Sequence, residues 1–258
     1  MIDTHCHLLP NVDDGPKDWE TALRMVSLAQ ADGIRQVITT PHWTGVPEET
    51  ERVRRRFAEF QSRCEGLEVF LGQELVLMPQ LLTSLQEGSA LTLAGSAYLL
   101  LETAQLEFGA FKHQALFQLQ SHGYRIILAH PERVPGWQRE PSELRKLLER
   151  GCYAQVNAGS LTGSFGRSAQ RAAESFVRRG WVSLVASDAH SDSGRPPLLS
   201  AAVERCEALV GERATELLVT DNPARVLCNE LLPYPNLDEP ERERAGRRWF
   251  WPWGRGRN

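Results

Sequence analysis

Seven times along the chain a short β-branched run is followed by a longer amphipathic one. The strand candidates are Met1–His5, Arg35–Thr40, Glu68–Gly72, Ala97–Leu101, Arg125–Ala129, Tyr153–Val156 and Val182–Ala186. The helical patterns are Trp19–Ala31, Glu48–Glu65, Gln80–Glu87, Phe111–His122, Glu143–Arg150, Ser168–Arg179 and Leu198–Val210. A strand begins about every 30 residues, the size of one βα unit. Such units pair their strands in parallel and pack their helices outside, which makes the chain an α/β protein. Gly33, Gly66, Gly123, Gly151 and Gly180 each close a helical pattern just before a strand, where a left-handed helix cap belongs. The run from Asp221 to Leu227 reads as a turn with Pro223 at the start of a last short helix. The pattern stops after Leu232. Residues 1–232 therefore read as one domain. Residues 233–258 read as a flexible tail rich in Pro, Arg and Trp.

The chemistry lies at the carboxyl end of each strand. The successive ends carry His5-Cys6-His7 with Asp13-Asp14 in the next loop, then Pro41-His42, Gln73-Glu74, Glu102, His130-Pro131-Glu132-Arg133, Asn157-Ala158-Gly159 and Ser187-Asp188-Ala189-His190. In a parallel barrel the carboxyl ends of the strands converge on one face, where active sites of such barrels sit. His5 and His7 are two apart on a strand and share a face, so Cys6 points away. One histidine at a strand end is more often a packed residue than a ligand. Donors at six of seven ends are hard to ascribe to chance, and burying so many ionisable groups without a metal is costly. His5, His7, Asp14, His42, Glu74, Glu102, His130, Asp188 and His190 are too many donors for one ion. They suit two or three divalent ions bound through N and O, with Mn, Fe, Co and Zn all compatible. Arg133 and Arg195 stand near this bowl and suit phosphate. Glu132 is expected to face outward or to pair with an Arg. His113 and His122 lie inside a helical pattern and read as surface or packing residues.

Composition narrows the function classes. The formal charge is −4. Residues 238–258 hold six Arg and four acids, so the rest of the chain is more acidic still. That argues against nucleic-acid binding, which needs a basic face. No window is apolar enough to span a membrane, and the first residues lack the regions of a signal peptide, so a cytoplasmic protein is expected. The five cysteines are scattered, without CxxC, which opposes structural zinc and a disulfide framework. Six residues beyond each cysteine stand Val12, Phe70, Ala158, Glu212 and Tyr234, never the Arg that a Cys-x5-Arg phosphatase needs.

The spaced motifs His5-x-His7, Asp13-Asp14-Gly15, Thr40-Pro41-His42, Gly72-x-Glu74, Glu102, His130-Pro131-Glu132-Arg133, Asn157-Ala158-Gly159-Ser160 and Ser187-Asp188-x-His190 resemble the polymerase and histidinol phosphatase (PHP) superfamily. Within it, His5-Cys6-His7-Leu8-Leu9-Pro10 with Asp13-Asp14-Gly15, and the Gly194-Arg195-Pro196-Pro197 loop, resemble the manganese-dependent protein tyrosine phosphatases of bacterial capsule and exopolysaccharide clusters. The resemblance spans about residues 1–230. It implies a distorted, TIM-like (β/α)7 barrel of the PHP type with a trinuclear, manganese-binding site. It would place His5, His7, Glu74 and Asp188 on a first metal, Glu74, Glu102 and His130 on a second, and Asp14, His42 and His190 on a third. Arg133 and Arg195 match the phosphate-binding arginines. The implied substrate is the phosphotyrosine tail of a membrane-linked tyrosine autokinase that controls polysaccharide export.

On this reading the reaction is hydrolysis of a phosphomonoester by a hydroxide bridging two metals, with the arginines neutralising phosphoryl oxygens. The nearest rival is a phosphomonoesterase of the same superfamily acting on a small molecule such as histidinol phosphate. An amidohydrolase-type barrel also opens with HxH, but often uses a carboxylated Lys at a mid-barrel strand end, where this chain has Glu102. A catalytically silent module on the same fold would normally lack several of the donors. The tail, with basic residues beside Trp249, Trp251 and Trp253, suits an anionic membrane surface or a partner's groove.

Overall fold

The expected strands form, and all but the third are almost wholly buried, as strands covered on both faces must be. The computed structural model describes residues 1–104 and 111–237. Among these, eight strands occur: β1 (Ile2–Cys6), β2 (Gln36–Thr39), β3 (Glu68–Leu71), β4 (Glu74–Leu75), β5 (Tyr98–Glu102), β6 (Arg125–Ala129), β7 (Tyr153–Asn157) and β8 (Leu184–Ala186). The intervening helices lie within a few residues of their expected places, including Trp19–Ala31, Pro47–Gln61, Phe111–Ser121, Gly166–Arg178 and Ser200–Val210. The five cap glycines all adopt positive φ, between 69° and 89°. No helix among the described residues is long and apolar enough to cross a membrane.

All strand pairs are parallel, in two sheets ordered β1-β2-β3 and β4-β5-β6-β7-β8. The sheets meet at both margins through single bridges, Cys6 with Ala189 and His42 with Glu74. The parallel α/β architecture therefore holds, with the continuous ladder of a regular barrel broken into two sheets. One strand more than the expected seven is present. Glu74, expected at the tail of the third strand, instead opens β4 and pairs with Leu100. The break falls at Gly72, where a Cβ would stand 2.9 Å from Leu93 Cδ2 and 3.2 Å from Leu93 Cα. A side chain there would crowd Leu93, and at this glycine the chain turns from one sheet to the other.

Strand alternation divides the core. Val37, Leu99, Leu101, Ile126, Leu128, Ala154, Val156 and Val185 face the helices. Ile38, Tyr98, Leu100, Ile127, Ala129, Tyr153 and Leu184 face inward and form a second apolar cluster with Leu93, Val226 and Leu232. The segment after the last helix (Asn222–Leu227) closes this inner cluster from below. The Tyr98 hydroxyl donates to Glu230 O (2.7 Å) and accepts from Leu232 N (2.9 Å). Tyr153 Oη donates to Leu232 O (3.3 Å), and Tyr234 stacks on Tyr153 with centroids 5.9 Å apart. Leu237 also packs on the core, so residues 233–237 continue along the body. The Arg- and Trp-rich part of the tail, 238–258, lies outside the described residues.

Continuing the inner alternation toward the carboxyl ends replaces apolar residues with polar ones. Asp3 and His5 lie on the inner face of β1 with His7 just beyond its end, Gln155 and Asn157 on that of β7, and Glu102 on that of β5. Gly72→Ala should lower stability by about 1–3 kcal/mol, the usual cost of overpacking. Urea unfolding monitored by circular dichroism measures it, and an unchanged midpoint would contradict the role given to Gly72.

Candidate metal centre

The donors expected from the strand ends come together. Four groups each bring their ligand atoms within 4.8 Å of one another: His7, Asp14, His42 and His190; His5, His7 and Glu74; His5, His130 and Asp188; Glu74, Glu102 and His130. The groups differ from the expected sets, and Asp188, expected with His5, His7 and Glu74, shares a group with His5 but not with His7 or Glu74. His7 also belongs with Asp14, His42 and His190, and His130 also with His5 and Asp188. Glu74 is the hub. Its Oε2 lies 3.4 Å from His5 Nε2, 3.6 Å from His7 Nε2 and 3.0 Å from His42 Nδ1, while Oε1 lies 3.0 Å from His130 Nε2. Burial alone would raise this carboxyl, but the imidazoles of His5, His130 and His42 around it hold it well below the usual carboxylate range. Asp14 marks the mouth: its side chain is 63% exposed, and its Oδ1 lies 3.3 Å from both His42 Nε2 and His190 Nε2.

A chain of side-chain hydrogen bonds fixes the tautomer of His5. Asp188 Oδ2, an acceptor only, receives Asn157 Nδ2 at 2.6 Å. That leaves Asn157 Oδ1 to accept from Gln155 Nε2 (2.9 Å), and Gln155 Oε1 to accept from His5 Nδ1 (2.8 Å). His5 Nδ1 is thereby a donor, and in the neutral ring its Nε2 carries the lone pair. On His7, Nδ1 donates to Asp13 Oδ2 at 2.6 Å, and that carboxylate also accepts from the backbone N–H groups of Gly15 and His42. The two Nε2 atoms then face each other at 3.3 Å. Two lone pairs at that distance repel unless a proton or metal cation lies between them. Burial presses His7 down, yet Asp13 and Glu74 push it up to about 10, so the metal-free protein meets this demand with a proton. Imidazoles and carboxylates without thiolate are the donor chemistry of Mn, Fe, Co or Zn, and the residues fit such ions.

Asp188 divides its two oxygens. Oδ1 faces His5 Nε2 (3.4 Å), His7 Nε2 (3.8 Å) and His190 Nδ1 (3.6 Å). Oδ2 receives Arg133 Nη1 (3.2 Å) and Arg195 Nη2 (2.6 Å) besides Asn157. The backbone is turned to permit this. His130 (φ 36°) and Asp188 (φ 52°) both sit in the left-handed region, uncommon for residues other than glycine; at His130, which follows the inward-facing Ala129, this swings the side chain off the strand alternation. Ser187 secures the second turn, donating from N (3.0 Å) and Oγ (2.5 Å) to Asp3.

Glu132 departs from expectation. It faces inward and has no Arg partner among the described residues. It is fully buried, and Oε1 accepts from Asn157 N (3.1 Å) and Ser160 Oγ (2.6 Å). The Pro131–Arg133 turn folds it under the loop, where it binds the start of helix Ala158–Leu161. Sequence pattern alone also does not single out Asp13, Gln155, Asn157 and Phe165 as site residues. The first three carry a signal: Asp13 adjoins Asp14, and Gln155 and Asn157 are polar at alternate positions of a buried strand. The three lysines lie elsewhere, Lys17 on Asp13 O (3.1 Å), Lys112 (3.5 Å) and Lys146 (2.6 Å) against Glu143. None is placed to serve as the carboxylated lysine of an amidohydrolase.

Gln155→Leu should weaken manganese binding by roughly 10–100-fold while the fold survives, since His5 loses the partner that orients it. Competition with a fluorescent chelator reads this, and unchanged affinity would refute the relay. Uptake should also release protons and weaken as pH falls. His7 is raised to about 10 and His130, by Glu74 against the effect of burial, to about 9, so both are protonated at neutral pH in the metal-free protein. A pH-stat titration with manganese measures the release.

A sequence model of the family described as capsular polysaccharide synthesis, CpsB/CapC, matches residues 1–228. The tyrosine-protein phosphatase YwqE of Bacillus subtilis is 32% identical over 90% of this chain and 93% of its own length. The tyrosine-protein phosphatase CpsB of Streptococcus pneumoniae is 27% identical over 90% of this chain and 100% of its own. A crystal structure from work on YwqE and CpsB as metal-dependent tyrosine phosphatases superposes with a TM-score of 0.80 at 30% identity, covering 92% of this chain and 98% of that one. With its donors gathered at the ends of parallel strands and its first 228 residues matched, the chain belongs to the CpsB/CapC family of capsular polysaccharide synthesis.

Proposed function

We propose that the protein is a metal-dependent protein tyrosine phosphatase acting in the cytoplasm on the phosphotyrosine tail of a membrane-linked tyrosine autokinase in polysaccharide production. The observation that carries this reading is Asp188, with one oxygen toward the imidazole cluster and the other toward two guanidinium groups. A cation-demanding cluster beside two arginines suits a ligand with about −1.5 to −2 charge and several acceptor oxygens, as a phosphomonoester has. A neutral amide or lactone would leave those guanidiniums without a task.

His5, His7, Glu74 and Asp188 would hold one ion, Glu74, Glu102 and His130 a second, and Asp14, His42 and His190 a third, with manganese the preferred metal. Such ions supply Lewis acidity toward phosphoryl oxygens and a water acidified enough to act as nucleophile near neutral pH. Arg133 and Arg195, each about one-third exposed at the rim, bind the phosphoryl oxygens and hold the phosphorus over the cluster. Asp13, Gln155 and Asn157 keep the imidazoles oriented. The leaving group is a phenolate with a conjugate acid of pKa about 10, so its departure needs less help from a proton donor than an alkoxide would. Burial and the charge of His7 press His190 down, which keeps it neutral and ready as a donor.

His42→Ala or Asp188→Ala should lower kcat/KM on a phosphotyrosine peptide by at least about 10²-fold with the circular dichroism spectrum retained. Chelation should abolish turnover and added manganese restore it. Retained activity in either variant would overturn the metal mechanism. Faster turnover of histidinol phosphate than of the peptide would replace the substrate assignment.

A further inference from the structure

The two guanidiniums of the rim share a support that the mechanism leaves unused. Phe165 stands between helix Ala158–Leu161 and helix Gly166–Arg178, with its ring half-buried. The Arg133 guanidinium carbon lies 4.5 Å from the ring centroid and that of Arg195 lies 5.4 Å. These arginines come from unrelated loops, one after β6 and one after β8. Both carry a positive charge, and both converge on the same oxygen of Asp188. Left to themselves they would repel, and long side chains at a rim have many alternative rotamers. The negative face of an aromatic ring attracts both without competing for their N–H donors.

Two further observations show that the ring's place is built. A Cβ on Gly159 would lie 2.8 Å from Phe165 Cε2 and 3.2 Å from Cδ2, so the ring occupies the space that a glycine leaves open. Asn157-Ala158-Gly159-Ser160 then reads residue by residue: Asn157 binds Asp188, Gly159 admits Phe165, and Ser160 binds Glu132. In addition, Arg195 Nε is shielded from solvent with no hydrogen-bond partner among the described residues. Its head is thus located by the Asp188 ion pair and by the ring, not by its own Nε.

We propose that Phe165 is a positioning residue for phosphate recognition, holding Arg133 and Arg195 on one aromatic ring so that both guanidiniums face an incoming phosphoryl group together. The proposal rests on the phosphatase reading. An apolar residue of similar size would fill the space but could not attract the cations, and an aromatic replacement would do both. That distinction separates positioning from packing.

The test uses the full chain loaded with manganese, as wild type, Phe165→Leu and Phe165→Tyr. Inorganic phosphate is titrated calorimetrically, and kcat and KM are measured on a phosphotyrosine peptide, with metal content determined for each protein. Phe165→Leu should weaken phosphate binding and raise KM by about tenfold, with kcat much less affected and metal content unchanged. Phe165→Tyr should return both values to within about twofold of wild type. Wild-type affinity in the leucine variant would overturn the proposal, as would a tyrosine variant as impaired as the leucine one. Failure of the wild type to hydrolyse the peptide would defeat the phosphatase reading. The phosphate titration would still judge the role of Phe165.

Discussion

Two ring nitrogens that face each other, each with its other nitrogen already donating, require a positive charge between them. That requirement at His5 and His7 organises the rest of the site. It explains why a carboxylate, Glu74, is buried among imidazoles. It also explains why the partners of the outer nitrogens are chosen as they are. Asp13 serves His7 directly. His5 is served by a neutral amide whose direction is set, through a second amide, by Asp188. A further carboxylate in that place would have added unneeded negative charge at the bottom of the bowl. Amides transmit the orientation of Asp188 without its charge.

Much of this is legible in the sequence because parallel strands leave few choices. Alternating patterns of period two and period 3.6 set the order of elements, and cap glycines locate the helix ends. The histidines and acids just after those strands then have to share one face. The features that escape detection do so for physical reasons. The extra strand, β4, is two residues long, too short for any periodicity, and follows a close approach of Gly72 to Leu93 that no local pattern reveals. Glu132 misleads because a charged residue in a loop normally seeks water. Here the start of a short helix and a serine hydroxyl supply its partners instead. Phe165 looks like any loop aromatic, since its neighbours arrive from residues 133 and 195.

Backbone strain sits where the site needs it. His130 and Asp188 hold left-handed conformations that cost of order 1–3 kcal/mol each. Each lies just past the end of its strand and points a donor inward, and at His130 a regular strand would have pointed it aside. The surroundings hold these turns in place: Asp188 N donates to His5 O (2.8 Å), and Arg133 N donates to His130 O (2.9 Å). The Asp3–Ser187 clasp adds to the first, joining the opening strand to the last.

The lacing of Tyr98 and Tyr153 to residues 230–234 bears on how the chain is made. The floor of the inner apolar cluster comes from the C-terminal end of the body, while the metal-binding face begins at residue five. During synthesis the first strand, with His5 and His7, must wait for β8 to supply Asp188, and the inner cluster waits longer still, for Leu232. Early strands can pair and gather their helices as they leave the ribosome, but the interior stays open below until almost the whole body has emerged. A nascent chain stopped short of Leu232 would expose two tyrosine hydroxyls and an apolar floor. The last few residues of the body thus decide when folding can finish.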